Sequence, residues 1–367
     1  MSMHNTPSKY YDDKIPIEQV LYGQFIKYKS LFSMVAREFE GSTANTVNVF
    51  IDLHQFFLPA FRCLKVKNYY TMTAVAINYC AHIRAYFRGS HNVESNIILV
   101  YSLNMSSNNT KFIAEYNSKY SARMNYNTKM METLQDNLQM LRLLVKYIPN
   151  VYLKEGTVES AVIIKSLISK DFNNGVPNIV ISSSDYMYQL PYYSPNTIVF
   201  RKKNVVAQSG GFEDASFSYN AITAPLYFIQ DTKGLVKGDI STPPYAISVL
   251  MCLSGLSGRS VSSIFNITTA AKITRFIPSE AIMAGDIEYI YGAIQMCLDK
   301  SKTKNKIEFD EFVNRYKAID IRFQEAMYNM LPEASDKRYL ESLIDPEALK
   351  AVNDKWFKEV PLDLQRL

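Results

Sequence analysis

The sequence is short of cysteine, glycine and proline and holds no long apolar run, and each shortage removes a class of protein. Four cysteines (Cys63, Cys80, Cys252 and Cys297) stand far apart with no CxxC pair. The chain therefore encodes neither a zinc ribbon nor a disulfide scaffold, and a reducing compartment fits it. With 13 glycines and 14 prolines in 367 residues, 47% hydrophobic and 20% charged, wholesale disorder and collagen-like or low-complexity architectures are excluded. No apolar stretch approaches the roughly 18 to 20 residues that span a bilayer, and the opening MSMHNTPSKYYDDK lacks the apolar core of a signal peptide. The expectation is a protein that is not secreted and has no membrane partner: cytoplasmic, or packaged in a particle.

Several catalytic signatures are missing as well. The serines at 182 to 184 are not framed by a GxSxG elbow, and no GxxxxGK[ST] loop offers a phosphate cradle. His54 and His82 lie in apolar surroundings without the Cys or His spacing of a metal site. There is no internal repeat. Forty basic against 35 acidic residues leave a net charge of +5, which permits a nucleic-acid partner without demanding one.

What is present is enough chain for one large domain or two ordinary ones, with strands and helices in alternation. VNVFID (47 to 52) is a short β-branched run closing on Asp52, as expected of a buried parallel strand with an acid at its carboxyl end. NIILVYS (96 to 102), VYL (151 to 153), NIVISS (178 to 183) and TIVFRKK (197 to 203) read as further strands. Helices are predicted over Ile17 to Phe39, about Tyr69 to Phe87, and about Glu159 to Ser169. Met131, Leu134, Leu138, Leu141, Val145 and Ile148 form an apolar stripe that carries another helix to Pro149. The segment 241 to 276 reads as a compact helical region, and the final stretch, EFDEFVNRYKAIDIRFQEAMYNML and then DKRYLESLIDPEALKAVNDKWF, is helical in pattern. The pattern predicts an α/β fold, a mostly parallel, doubly wound sheet, with ligand chemistry at the carboxyl ends of its strands.

The succession FIDLHQFFLPAFR, NIILVYS, the long segment from Glu115 to Ile168, and NIVISSSDYMYQL resembles the 5′-nuclease family, the flap endonucleases and phage-type 5′-3′ exonucleases with a PIN-like core. ISVLMCLSGLSGRSVSSIFNITTAAKITRF (247 to 276) lies along that family's helix-hairpin-helix segment. The resemblance covers about residues 47 to 280, and element order carries it more than motif letters. It implies four regions: an N-terminal extension (1–46), a PIN-like core (47–210), a helical hairpin region (211–280) and a C-terminal helical extension (281–367).

Carried over position by position, the family's acids are mostly replaced. Asp52 matches the acid of the first strand, but the acid of the second falls on Ser102. The Glu-Ala-Asp-Asp motif falls on Val158, Glu159, Ser160 and Ala161, which leaves a Glu at the Ala position. In SSSDYMYQL the two acids fall on Ser184 and Tyr186, with Asp185 between them. In the hairpin Gly255 matches, while two acids become Leu256 and Arg259. Two-metal phosphodiester hydrolysis needs several carboxylates to hold two Mg²⁺ ions about 3.5 to 4 Å apart. The resemblance thus implies a pseudo-nuclease: no catalytic set, no cofactor, and Mg²⁺ only if Asp52, Glu159 and Asp185 form a residual site.

Asp52 is more simply expected to cap the helix that follows it. The candidate nucleic-acid residues are Lys111, Tyr116, Lys119, Tyr120, Arg123 and Lys129, a segment that in relatives arches over single strands; Arg201, Lys202, Lys203 and Arg259 extend the set. Cations suit phosphates and tyrosines suit base stacking, although the same residues also suit a solvated face. The expected function is a catalytically inactive, 5′-nuclease-like binding or assembly module, viral in character, taking single-stranded or branched DNA or, through its terminal helices, other proteins. The alternatives are an atypical metal-dependent 5′-nuclease and a purely structural virion or polymerase-complex subunit.

Overall fold

A computed structural model of the protein describes residues 45–53, 70–102, 128–156, 158–170, 172, 175–182, 184–194, 196–201, 221–222, 227–228, 241–255, 261–301, 306–329, 346–357 and 362–366. The predicted helix over Ile17 to Phe39 lies outside them.

Six strands form one sheet: β1 (Thr46–Asp52), β2 (Glu94–Ser102), β3 (Val151–Gly156), β4 (Asn178–Ser182), β5 (Thr197–Arg201) and β6 (Ala221–Ile222). Their spatial order is β3-β2-β1-β4-β5-β6. The first five run parallel, and β6 closes the edge antiparallel to β5. The alternation of strand and helix in the sequence therefore does build a mostly parallel sheet. A small second sheet pairs β7 (Tyr227–Phe228) with β8 (Ser241–Thr242).

Side chains alternate across the sheet, as the two-residue period of a strand requires. Phe50, Ile98, Val100, Val180 and Val199 face one core and Val49, Ile51, Ile97, Leu99, Ile179 and Ile181 face the other. Both faces are buried, which is why these strands read as unbroken apolar runs. The second core takes α1 (Thr71–His91) and α2 (Thr128–Leu144). The stripe read through to Ile148 is α2 followed by a short 3₁₀ turn, Val145–Tyr147. α11 (Pro346–Trp356) and Leu362 close the same side.

The first core takes α3 (Ser160–Lys170), then α5 (Ile247–Ser254), α6 (Ile267–Phe276), α7 (Ser279–Ala284), α8 (Ile287–Ser301), α9 (Phe309–Ile319) and α10 (Ile321–Asn329), with α4 (Leu190–Tyr193) a single turn before β5. α5 packs on α6, α9 on α5, and α10 on α3. The turn after α5 depends on Gly255. Its φ is +75°, and a Cβ there would stand 2.7 Å from the Val261 carbonyl oxygen and the Ser263 nitrogen, so only glycine fits.

The helical pattern that follows Glu308 is built as two helices, broken at Asp320, whose backbone is extended. The Asp320 carboxylate accepts from the Arg322 amide at 2.9 Å and so caps α10 from the break. Among the described residues no helix is long and apolar enough to cross a membrane.

Candidate functional site: the carboxyl edge of the sheet

From β1 the sheet grows outward in both directions, so the chain reverses its strand order between β1 and β4. In open α/β sheets the crevice at such a switch point, beyond the carboxyl ends of the strands, is where ligands bind. The residues that end these strands are Asp52 on β1, Ser102 on β2 and Ser182 on β4.

All three are buried. Ser182 donates its hydroxyl hydrogen to Asp52 Oδ2 at 2.8 Å and its oxygen accepts from the Ser184 amide at 3.1 Å. Asp52 is thus tied to β4 and to the turn that leaves it. Its expected role as a cap for the following helix falls on residues outside the described ones. Ser102, where the resemblance places an acid, donates to the Val158 carbonyl at 2.5 Å. That bond fixes the residue before Glu159 against the end of β2.

Glu159 is itself buried, and its carbonyl accepts from Val162 and Ile163 at 2.9 and 3.3 Å as α3 begins. The helix expected from Glu159 therefore starts one residue later, with Glu159 as its cap position. Asp185 opens the 3₁₀ turn Asp185–Gln189, three residues past Ser182. Among the described residues no group of three or more His, Cys, Asp or Glu side chains comes together in a way that would hold a metal ion.

Sequence reasoning missed the role of the rest of the 3₁₀ turn. Tyr186 donates to the Ala318 carbonyl at 3.2 Å, while Gln189 donates to Ile319 and accepts from the Ile321 amide at 3.0 and 3.2 Å. The segment that in the resembled family bears acids here fastens the joint between α9 and α10. No local signal reveals this, because the partners lie about 130 residues away. Beside the joint, Lys165 of α3 pairs with Glu325 of α10 and lies 4.6 Å from the Tyr193 ring. Burial, with Asp320 adding to it, pushes the Tyr193 phenol well above its ordinary range.

Cys63 lies outside the described residues, and the buried thiols among them offer no alternative chemistry. Cys80, Cys252 and Cys297 are free, and burial pushes Cys80 up to about 12, which keeps it protonated and inert at neutral pH. His82 is half-buried on α1 with Arg366 Nη1 at 3.0 Å from its Nδ1, far in chain from the carboxyl edge; His54 lies outside the described residues.

Of the candidate nucleic-acid residues, Lys129 is in the first turn of α2 and Arg201 ends β5. Lys111, Tyr116, Lys119, Tyr120, Arg123, Lys202, Lys203 and Arg259 lie outside the described residues.

No family model matches the sequence, and no curated protein matches it. Solved structures similar to the chain include the flap endonuclease of bacteriophage T5 in a complex with DNA and metal ions, 11% identical over 83% of this chain and 98% of that one, with a TM-score of 0.49. The bacteriophage T5 5′-exonuclease with bound zinc is 12% identical over 86% and 98%, at 0.46. The catalytic core of Rad2 with a DNA substrate is 11% identical over 84% and 86%, at 0.41. At these identities the likeness assigns no residue of this chain a role.

Proposed function

We propose that the protein is a 5′-nuclease-like scaffold that has given up two-metal hydrolysis and binds single-stranded or branched DNA without cutting it. The observation that carries this reading is the bonding at the carboxyl edge. Where the family would need a cluster of carboxylates, Ser102 is committed to the Val158 carbonyl and Ser182 to Asp52. A pair of Mg²⁺ ions needs several anionic oxygens facing one cavity. The strand ends themselves supply one aspartate and two neutral hydroxyls with partners, a set that does not fit that pair. DNA binding rests on the cations and tyrosines of residues 111 to 129 and on the basic tip at 201 to 203, which suit phosphates and unstacked bases. The viral setting belongs to the same proposal and rests on the family resemblance alone.

The test is incubation of labelled single-stranded and flap DNA with the protein in Mg²⁺ and in Mn²⁺, beside Asp52→Asn, with binding read from the same samples. The expected result is intact DNA in every lane and an affinity that falls as salt rises. Substituting both Lys119 and Arg123 by Ala should weaken binding and reduce the salt slope by roughly one unit for each phosphate no longer neutralised. Cleavage that disappears in Asp52→Asn would overturn the inactive reading in favour of a residual site using Asp52, Glu159 and Asp185. An absence of binding at every salt concentration would remove the DNA partner and leave protein assembly.

A further inference from the structure

α8 is apolar on two sides, and among the described residues only one of them is covered. Ile290, Ile294 and Leu298 are buried in the first core against α6, α7 and α9. On the far side Tyr289 is 54% and Met296 61% exposed. Exposed Gly292 stands between them, with Ala293, half-buried against the first core, at the edge of the stripe, and a Cβ on Gly292 would meet nothing within 4 Å. Phe276 at the end of α6, 74% exposed, and Met283 on α7, 41% exposed, belong to the two elements that flank α8. Scattered exposed apolar residues need no explanation, but Tyr289, Gly292, Ala293 and Met296 share one face at steps of three and four.

The charges on this face identify what covers it. Asp286, which caps the helix by accepting from the Tyr289 amide at 3.0 Å, sits at one end of the stripe and exposed Lys300 at the other. Ala293 is seven residues from each, so each charge lies about 10.5 Å along the axis from that midpoint. The pattern acid, Tyr, Gly-Ala, Met, base is therefore complementary to itself when reversed. Two copies of α8 laid antiparallel about Ala293 place Asp286 of each opposite Lys300 of the other and Tyr289 of each beside Met296 of the other. Gly292 lets the backbones approach near the centre. A two-fold contact of this kind is isologous, and its symmetry closes it at two copies.

We infer that the protein forms a weak homodimer through antiparallel self-packing of α8, a property independent of whether it binds or cuts DNA. A parallel arrangement would set Asp286 against Asp286 and Lys300 against Lys300, so the charges also select the direction. The single-helix footprint makes the dimer concentration-dependent rather than permanent.

Sedimentation of the full chain over a wide concentration range tests this, with circular dichroism to verify that each variant is folded. The wild type should pass from monomer to dimer as concentration rises. Met296→Asp, at a site too exposed to unfold the chain, should remain monomeric. Lys300→Glu and Asp286→Lys should each weaken self-association by about tenfold or more, since each sets like charges opposite one another at both ends. Mixed in equal amounts the two variants should form a heterodimer, because both lysines of the Asp286→Lys copy then stand opposite the two acids of the Lys300→Glu copy. A wild type that stays monomeric, a dimer unaffected by Met296→Asp, or a mixture that fails to associate although both variants are folded would each overturn the inference.

Discussion

Ser182 at the end of β4 holds the Asp52 carboxylate at the end of β1, with 2.8 Å between the hydroxyl and Oδ2, and the two residues are 130 positions apart in the chain. The bond stands at the switch point of the sheet, between the adjacent strands β1 and β4. Both residues are buried, so it is a hydrogen bond to a charged group away from water, the stronger kind.

Ser182→Ala removes that donor and also the acceptor of the Ser184 amide. The expected loss of stability is about 1.5 to 3 kcal/mol, read as a lower urea midpoint at an unchanged slope. A loss below about 0.5 kcal/mol, the range of neutral surface changes, would mean that Asp52 does not depend on this serine.

At the opposite end of the strands three asparagines form a line. Asn96 donates to Asn48 at 3.0 Å and Asn48 to Asn178 at 2.9 Å, each pair being directly opposed in the parallel register. Because a slip of either neighbour past β1 would break the line, it specifies the pairing as well as stabilising it. Asn48→Ala should cost about 2 kcal/mol or more, and Asn48→Ala with Asn178→Ala less than the sum of the two single changes, since the second substitution removes a group already left unpaired. A double-mutant cycle by urea denaturation measures the difference; strict additivity would rule out the coupling.

How much of this was legible in the sequence follows from the range of each interaction. Four of the parallel strands, β1, β2, β4 and β5, were, because burial on both faces makes them near-continuous apolar runs; the half-buried edge strand β3 showed only its VYL start, and Asp52 was marked as special because it closes β1. The break at Asp320 was not: the apolar period continues through it, and what stops the helix is an aspartate whose carboxylate caps α10 and engages Arg322. Ser182 was visible only as one of three serines. Its role as the partner of Asp52 depends on β4 lying beside β1, a fact of topology and not of local spacing.

Arg322 ties three of the C-terminal helices together through one side chain. Its guanidinium reaches both Asp320 oxygens, at 2.9 and 2.6 Å, the Met283 carbonyl at 2.7 Å, the Ile282 carbonyl at 3.1 Å and the Tyr316 hydroxyl at 2.7 Å. It joins the break between α9 and α10 to the last turn of α7. Arg322→Ala leaves the buried Asp320 carboxylate without its counterion and should cost about 3 to 5 kcal/mol. Arg322→Lys should recover only part of this, because one ammonium cannot match the planar fork. Thermal melts of the two variants check the order, and equal melting temperatures for both would contradict it.

The contact between the C-terminal segment and α1 should depend on pH through one histidine. Asp363 donates its amide to Asn78 at 2.8 Å, Leu362 is buried, and Arg366 stands 3.0 Å from His82 Nδ1 while pairing with Asp363 at 3.2 Å. A neutral imidazole accepts from the guanidinium; a protonated one faces it as a second cation. Burial first and Arg366 second hold the His82 pKa below its ordinary 6.5, with Asp363 acting in the opposite direction. Below that ordinary value the unfolded chain therefore binds the proton more readily than the folded one, so stability falls as protons are added. The contribution is complete above about pH 6.5 and is lost as the pH falls through the lower folded value. Hydrogen exchange of the amides at 362 to 366 should quicken as the pH falls below about 6.5, after correction for the intrinsic pH dependence of exchange. His82→Gln, which stays neutral, should abolish that change. An identical pH response in wild type and His82→Gln would assign the effect to other groups.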